Sequence, residues 1–128
     1  MEKTAVRTEN APAPFQGAPY SQAIKANGLV FVSGQLGLKP GHTEMAGDTI
    51  EEQTRQVLDN LEAILTEAGS GLDRIVKTTV FLASLDDFQE MNSVYAERVG
   101  DTPPARSTVE VAGLPSGALV EIEAIAEI

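Results

Sequence analysis

The chain predicts an α+β domain in which two helices cover one face of a mixed β-sheet. Two observations carry that reading. Apolar and β-branched runs of strand length recur at residues 3–8, 21–26, 29–33 and 75–83 and through the last quarter of the chain. Between them, residues 50–68 and 88–99 place apolar side chains at helical spacing. The order is therefore β-β-β, helix, β, helix, β-β. With 128 residues, 42% hydrophobic and 22% charged, the chain suffices for one domain over residues 1–128 with a core of its own.

Thr4, Val6 and Thr8 alternate as in an edge strand or an arm. Pro12, Pro14 and Pro19 make residues 10–19 an extended loop that delivers Tyr20. Residues 21–26 read as a strand, and Asn27-Gly28 is a tight-turn signal joining it to Leu29-Val30-Phe31-Val32-Ser33. This second run is apolar on both faces, as a central strand is, and is expected to end at Ser33-Gly34-Gln35. A loop over residues 36–48 holds His42, the only histidine. Thr49 and Glu52 have capping-box spacing at the start of the first helix. Its stripe is Ile50, Val57, Leu58, Leu61, Ile64, Leu65 and Ala68, and Gly69 stops it. Residues 75–83 form a strand that is again apolar on both faces. Residues 84–87 open the second helix, whose stripe is Phe88, Met91, Tyr95 and Val99 and whose end is Gly100.

The last quarter reads as strand, turn, strand, a hairpin with Gly113, Pro115 and Gly117 in its turn. On the final strand Val120, Ile122, Ala124 and Ala126 point one way, and Glu121, Glu123 and Glu127 the other, with Leu119 and Ile125. On the strand before it Arg106, Thr108 and Glu110 lie opposite Ser107, Val109 and Val111. Rigid strands thus present an arginine and a glutamate, which suits a site for a charged ligand. Two helices cover only one side of the sheet, yet the strands at 29–33 and 75–83 are apolar on both. At about 25 cal/mol per Å² of buried apolar surface, the second face is expected to be covered by other copies of the chain, with sheets facing inward.

The net charge of −10 repels phosphate backbones and anionic membranes at long range. Aromatics are few and Trp is absent, which disfavours a base-stacking surface for single-stranded nucleic acid. The absence of Cys removes disulfides, thiolate catalysis and cysteine-based zinc sites. No run approaches the length needed to cross a membrane, and Met1-Glu2-Lys3-Thr4 opens no signal-peptide core. The expectation is a cytoplasmic protein with no nucleic-acid partner and no membrane association. His42 sits in a polar loop and is expected to be solvated rather than catalytic. Glu51-Glu52 and Asp86-Asp87 fall at helix starts, where they suit the dipole.

Several segments coincide in order and spacing. They are Gly17-Ala18-Pro19-Tyr20-Ser21-Gln22-Ala23, Val32-Ser33-Gly34-Gln35, Ile75-Val76-Lys77-Thr78-Thr79-Val80-Phe81, Asp87-Phe88 with Met91-Asn92 and Tyr95, Pro104-Ala105-Arg106-Ser107, and Val120-Glu121-Ile122-Glu123-Ala124-Ile125-Ala126. Together they closely resemble the RidA (YjgF-type) family of reactive imine/enamine deaminases, nearly end to end. The resemblance implies a chorismate-mutase-like α+β fold and a homotrimer with a site at each subunit interface. It implies hydrolysis of 2-imino acids, of the 2-aminoacrylate and 2-iminobutanoate type, to 2-keto acids and ammonia, protecting metabolism from enamine damage. It implies neither cofactor nor metal. By the same resemblance Tyr20, Ser33, Gly34, Asn92 and Thr108 complete the substrate pocket, with Tyr20 supplied by a neighbouring subunit. Many members carry Cys where this chain has Thr108, so a thiol role there is impossible, and imine hydrolysis requires none.

The chemistry of such a substrate matches the residues. Its carboxylate calls for a planar, permanently charged, bidentate partner, and Arg106 is one. Water must add to the imine carbon, and Glu121 is the carboxylate to orient it and to stabilise charge at nitrogen, with Glu123 as the alternative. Gly34 lets backbone approach a small ligand. Arg106 would equally serve a non-catalytic binder of 2-keto or amino acids, which the sequence barely separates from a deaminase, although Glu121 tilts toward catalysis. An endoribonuclease is a further alternative, disfavoured by the acidic charge, the lone loop histidine and the lack of a basic stripe.

Overall fold

The computed structural model describes residues 2–128. Strands β1 (Thr4–Val6), β2 (Ala23–Ala26) and β3 (Leu29–Leu36) come first, followed by helix α1 (Ile50–Glu67) and β4 (Ile75–Leu82). Helix α2 (Phe88–Ala96) then precedes β5 (Ala105–Glu110) and β6 (Val120–Glu127). The strands form one six-stranded sheet in the order β1-β2-β3-β6-β4-β5. Every pairing is antiparallel except that of β4 with β5, so the sheet is mixed, as expected.

Local chemistry sets the element ends. Asn27 (φ 56°) and Gly28 (φ 80°) occupy the left-handed region that a two-residue hairpin turn demands between β2 and β3. Thr49 Oγ1 accepts the Glu52 N–H at 3.2 Å, and Glu52 Oε1 accepts the Thr49 N–H at 3.3 Å, closing the capping box of α1. Its whole predicted stripe, from Ile50 to Ala68, is buried. Gly69 leaves the helix at φ 87°, a conformation that suits a residue without a Cβ. The second helix begins as a 3₁₀ turn at Leu85–Asp87, and Met91, Val94, Tyr95 and Val99 join the core.

Both helices lie on the sheet face that carries Val30, Val32, Val80, Leu82, Val120 and Ile122, all of them buried. The opposite face has no third layer among the described residues. Phe31 and Val109 point out from it and remain 42% and 43% exposed.

Two expectations need correction. The last two strands are not a hairpin: β4 lies between β5 and β6, pairing parallel with the first and antiparallel with the second. The chain from β4 through α2 to β5 is a crossover unit, and crossover connections are the means by which parallel neighbours are joined. The connection of residues 111–119 then carries β6 past β4 to its central place. Burial explains the choice, since β6 hides four alternate side chains while β5 hides none and takes the edge. The other correction concerns β3, which does not end at Ser33-Gly34-Gln35 but continues to Leu36 through a β-bulge. Ser33 and Gly34 together oppose the single residue Glu123, between the pairs Val32–Ala124 and Gln35–Ile122.

Candidate active site

Glu121 leaves β6 on the uncovered face of the sheet and lies against Gly34 at the bulge of β3. A Cβ built on Gly34 would overlap the Glu121 carboxylate, coming within 2.8 Å of its Cδ. With any side chain at this position the Glu121 carboxylate would have to move from where it lies. The half-buried carboxylate pairs with no Lys or Arg among the described residues. Burial pushes its pKa above the ordinary 4.5, and the neighbouring charge of Glu123 adds to the rise. Ser33 is adjacent in the chain, but its hydroxyl donates to the Ser21 carbonyl at 2.6 Å and so serves the strand pairing. Tyr20 is 44% exposed and shares the lining of one recess with Gly34. Its Oη accepts the Phe15 N–H at 2.6 Å, which leaves the phenolic hydrogen to donate elsewhere.

Arg106 is on the other face. It stands beside Thr78 in the β4–β5 register, and Thr78 is buried under α2. The guanidinium carbon lies 4.9 Å from the Tyr95 ring centroid and 5.6 Å from that of Phe88. These distances are those of a cation held over aromatic faces. Tyr95 is itself fixed, because its Oη and Thr78 Oγ1 share a hydrogen bond of 2.7 Å. No carboxylate among the described residues pairs with Arg106, so its fork of N–H donors is not committed to an ion pair. Asn92 falls between Phe88 and Tyr95 on the same side of α2, and Thr108 follows Arg106 by two on β5. Asn92 Oδ1 and Thr108 Oγ1 are both buried with no hydrogen-bond partner among the described residues. Buried polar atoms of this kind call for a partner from water or a ligand.

The predicted residues therefore form two clusters on opposite faces of one sheet. Tyr20, Ser33, Gly34 and Glu121 make one; Asn92, Arg106 and Thr108 make the other. His42 is exposed, and no group of three or more potential metal-ligating His, Cys, Asp or Glu is present among the described residues.

A family model described as Endoribonuclease L-PSP matches residues 8–128. The chain belongs to the RidA (YjgF-type) family. A RutC family protein of Pyrococcus horikoshii is 50% identical over 124 residues, 97% of each chain. A protein of Arabidopsis thaliana named Reactive Intermediate Deaminase A, chloroplastic, is 49% identical over 126 residues, spanning 98% of this chain and 66% of the relative. The crystal structure of RidA from a Psychrobacter species superposes with a TM-score of 0.92 at 40% identity, covering 98% of this chain and 99% of that one. No helix in the described residues is long and apolar enough to cross a membrane.

The residues that support this candidate site carry weaker sequence signals than Arg106 and Glu121. Phe88 and Tyr95 were legible as a helical stripe, but their spacing alone does not show an arginine lying over them. Gln22 stands in the Gly17–Ala23 segment, but the sequence assigns it no role. It is buried, its Oε1 accepts the Thr8 N–H at 2.7 Å, and its Nε2 donates to the carbonyls of Thr8 at 3.0 Å and Pro12 at 2.9 Å. One amide thereby fastens the strand after Tyr20 to the loop before it. The only signal was a polar side chain in a strand position facing the core.

Proposed function

We propose that the protein is a 2-imino acid deaminase working as a homotrimer, with each site built from two chains. The observation that carries the chemistry is the half-buried, unpaired Glu121 carboxylate packed on Gly34, with its pKa raised. A carboxylate so placed is a better base than one in water. The observation that supports shared sites is the separation of Arg106 and Glu121 on opposite faces of the sheet. Bringing them together requires a second chain, and the uncovered face with Phe31 and Val109 offers it a contact.

In the mechanism, Arg106 of one chain takes the substrate carboxylate in two parallel hydrogen bonds while Phe88 and Tyr95 hold its guanidinium flat. The Tyr20 hydroxyl donates to the same end of the ligand, and Asn92 and Thr108 provide the remaining polar contacts. Glu121 of the neighbouring chain removes a proton from water as the oxygen bonds to the imine carbon, and the imine nitrogen gains a proton. The resulting carbinolamine loses ammonia when its C–N bond breaks and the hydroxyl proton departs, leaving the 2-keto acid. Water and imine are consumed in equal amounts with no redox change. These steps draw on positioning and one carboxylate, with 2-aminoacrylate and 2-iminobutanoate tautomers as the substrates that fit a carboxylate-binding arginine. We place the activity in the cytoplasm, as a defence against reactive enamines.

A coupled assay tests this. An amino-acid oxidase or a dehydratase generates the imine, a scavenger competes for it, and keto-acid formation is followed with wild type and with Arg106→Ala. Acceleration that disappears in the variant is expected. A folded wild-type oligomer that accelerates no imine hydrolysis overturns the deaminase. Binding of 2-keto acids without catalysis then leaves the ligand-binding function. The net charge of −10 gives little support to RNA cleavage, the activity in the family model's description.

A further inference from the structure

The loop before Tyr20 is unusually well fastened for a proline-rich segment. Phe15 opens a 3₁₀ turn that continues through Gln16 (φ 53°) and Gly17 (φ 70°). Its N–H donates to Tyr20 Oη at 2.6 Å, and its carbonyl accepts the Ala18 N–H at 3.0 Å. Both backbone polar groups of Phe15 are thus committed, and the root of its side chain is fixed.

Phe15 lines two recesses. One, of about 30 Å³, is lined by Phe15, Tyr20 and Gly34, the residue on which the Glu121 carboxylate packs. The other, of about 400 Å³, is lined by Gln16, His42, Thr43 and Ser116. Pro12, Ala13, Phe15 and Leu38 line both. The small recess has no charged residue in its lining and is less than a tenth the volume of the larger one. Of these four shared residues Phe15 carries the largest side chain.

We propose that Phe15 is the specificity-determining wall of the site, limiting the substrate to a short apolar side chain by separating the small recess from the large cleft. The proposal rests on the imino-acid reading above and goes beyond it by naming the residue that measures side-chain length. The tyrosine and the carboxylate act on the common core of every 2-imino acid. Phe15 acts on the part that differs. Shortening it joins the two recesses and gives longer side chains a place to go.

The test compares wild type, Phe15→Leu and Phe15→Ala on imines generated from alanine, 2-aminobutyrate, norvaline and leucine. The ratio of kcat/KM for the 2-aminobutyrate imine to that for the leucine imine is expected to fall by at least about tenfold in Phe15→Ala, with Phe15→Leu between, since single methylenes are discriminated by about 10–200-fold in apolar pockets. Binding of 2-ketobutyrate and 4-methyl-2-oxopentanoate by calorimetry gives the same comparison without catalysis. A ratio unchanged in both measurements, with all substrates weakened equally, overturns Phe15 as the wall and leaves it as loop support. A wild type that turns over no imine but binds short keto acids, with the preference lost in Phe15→Ala, overturns the deaminase and sustains the wall. A wild type that binds no keto acid and turns over no imine overturns both.

Discussion

At the scale of single residues, the proposed role of Glu121 as the base depends on its packing against Gly34. Gly34 has no Cβ, and the carboxylate uses that space. Gly34→Ala is expected to keep the fold and lower kcat/KM by at least about a hundredfold, read by steady-state kinetics beside circular dichroism, because a displaced base loses its alignment with water. The raised pKa has two consequences. Activity needs the ionised form, so the acidic limb of the rate profile is expected above the ordinary carboxylate value of 4.5. Stability runs the other way. A carboxyl whose folded pKa is raised favours the protonated folded state, a contribution present at low pH and lost as pH rises through the folded value. Glu121→Gln is therefore expected to melt higher than wild type at neutral pH while losing activity. Equal melting curves at pH 7 would contradict that sign. Gln22→Ala should cost about 1–3 kcal/mol, since it leaves the buried polar groups around Thr8 and Pro12 without their partner. Chemical denaturation measures it. Arg106, Glu121 and Gly34 could be singled out in the sequence because each is a residue type that its task demands. Gln22 could not, because its task is defined by a loop that approaches from elsewhere in the chain.

At the scale of elements, local signals were reliable where the cause is local. The capping box, the stripe of α1, the Asn27-Gly28 turn and the glycine stop at Gly69 all depend on residues within a few positions of one another. Thr49→Ala should destabilise by about 1 kcal/mol through loss of the cap. At the start of α2, burial, followed by the charges of Glu90, Asp86 and Glu51, raises the pKa of Asp87. Asp87→Asn is expected to raise the melting temperature at pH 7, with the gain shrinking as pH falls into the carboxylate range. Strand pairing was the part that sequence could not give. Alternation in β5 and β6 assigns each residue to a face correctly, and the structure keeps those faces. Which strands become neighbours depends instead on the α2 crossover and on the competition of β4, β5 and β6 for the central positions. The polar character of Arg106, Ser107, Thr108 and Glu110 was a signal for an edge strand, but a turn rich in Gly and Pro reads equally well as a hairpin. The bulge at Ser33-Gly34 is similar: Gly marks the place, while the continuation of β3 to Leu36 is fixed by its partner β6.

At the scale of the whole molecule, the sheet has one face sealed by helices and one left open, and the two halves of the candidate site are divided between them. The doubly apolar strands carried that open face in the sequence. The division of the site was not visible there, because it depends on the true strand order and on which face α2 covers. Phe31→Lys places a charge on the open face and is expected to dissociate the proposed oligomer, seen by analytical ultracentrifugation, and to abolish the proposed activity without unfolding the chain. The most direct measurement of shared sites mixes two inactive proteins. Arg106→Ala and Glu121→Ala chains are co-refolded in equal amounts, and imine hydrolysis is compared with that of each refolded alone. Random assortment into oligomers whose sites take arginine from one chain and glutamate from the next should restore about a quarter of the wild-type sites. Mixed oligomers that form but hydrolyse no faster than the separate variants would contradict a site completed between chains.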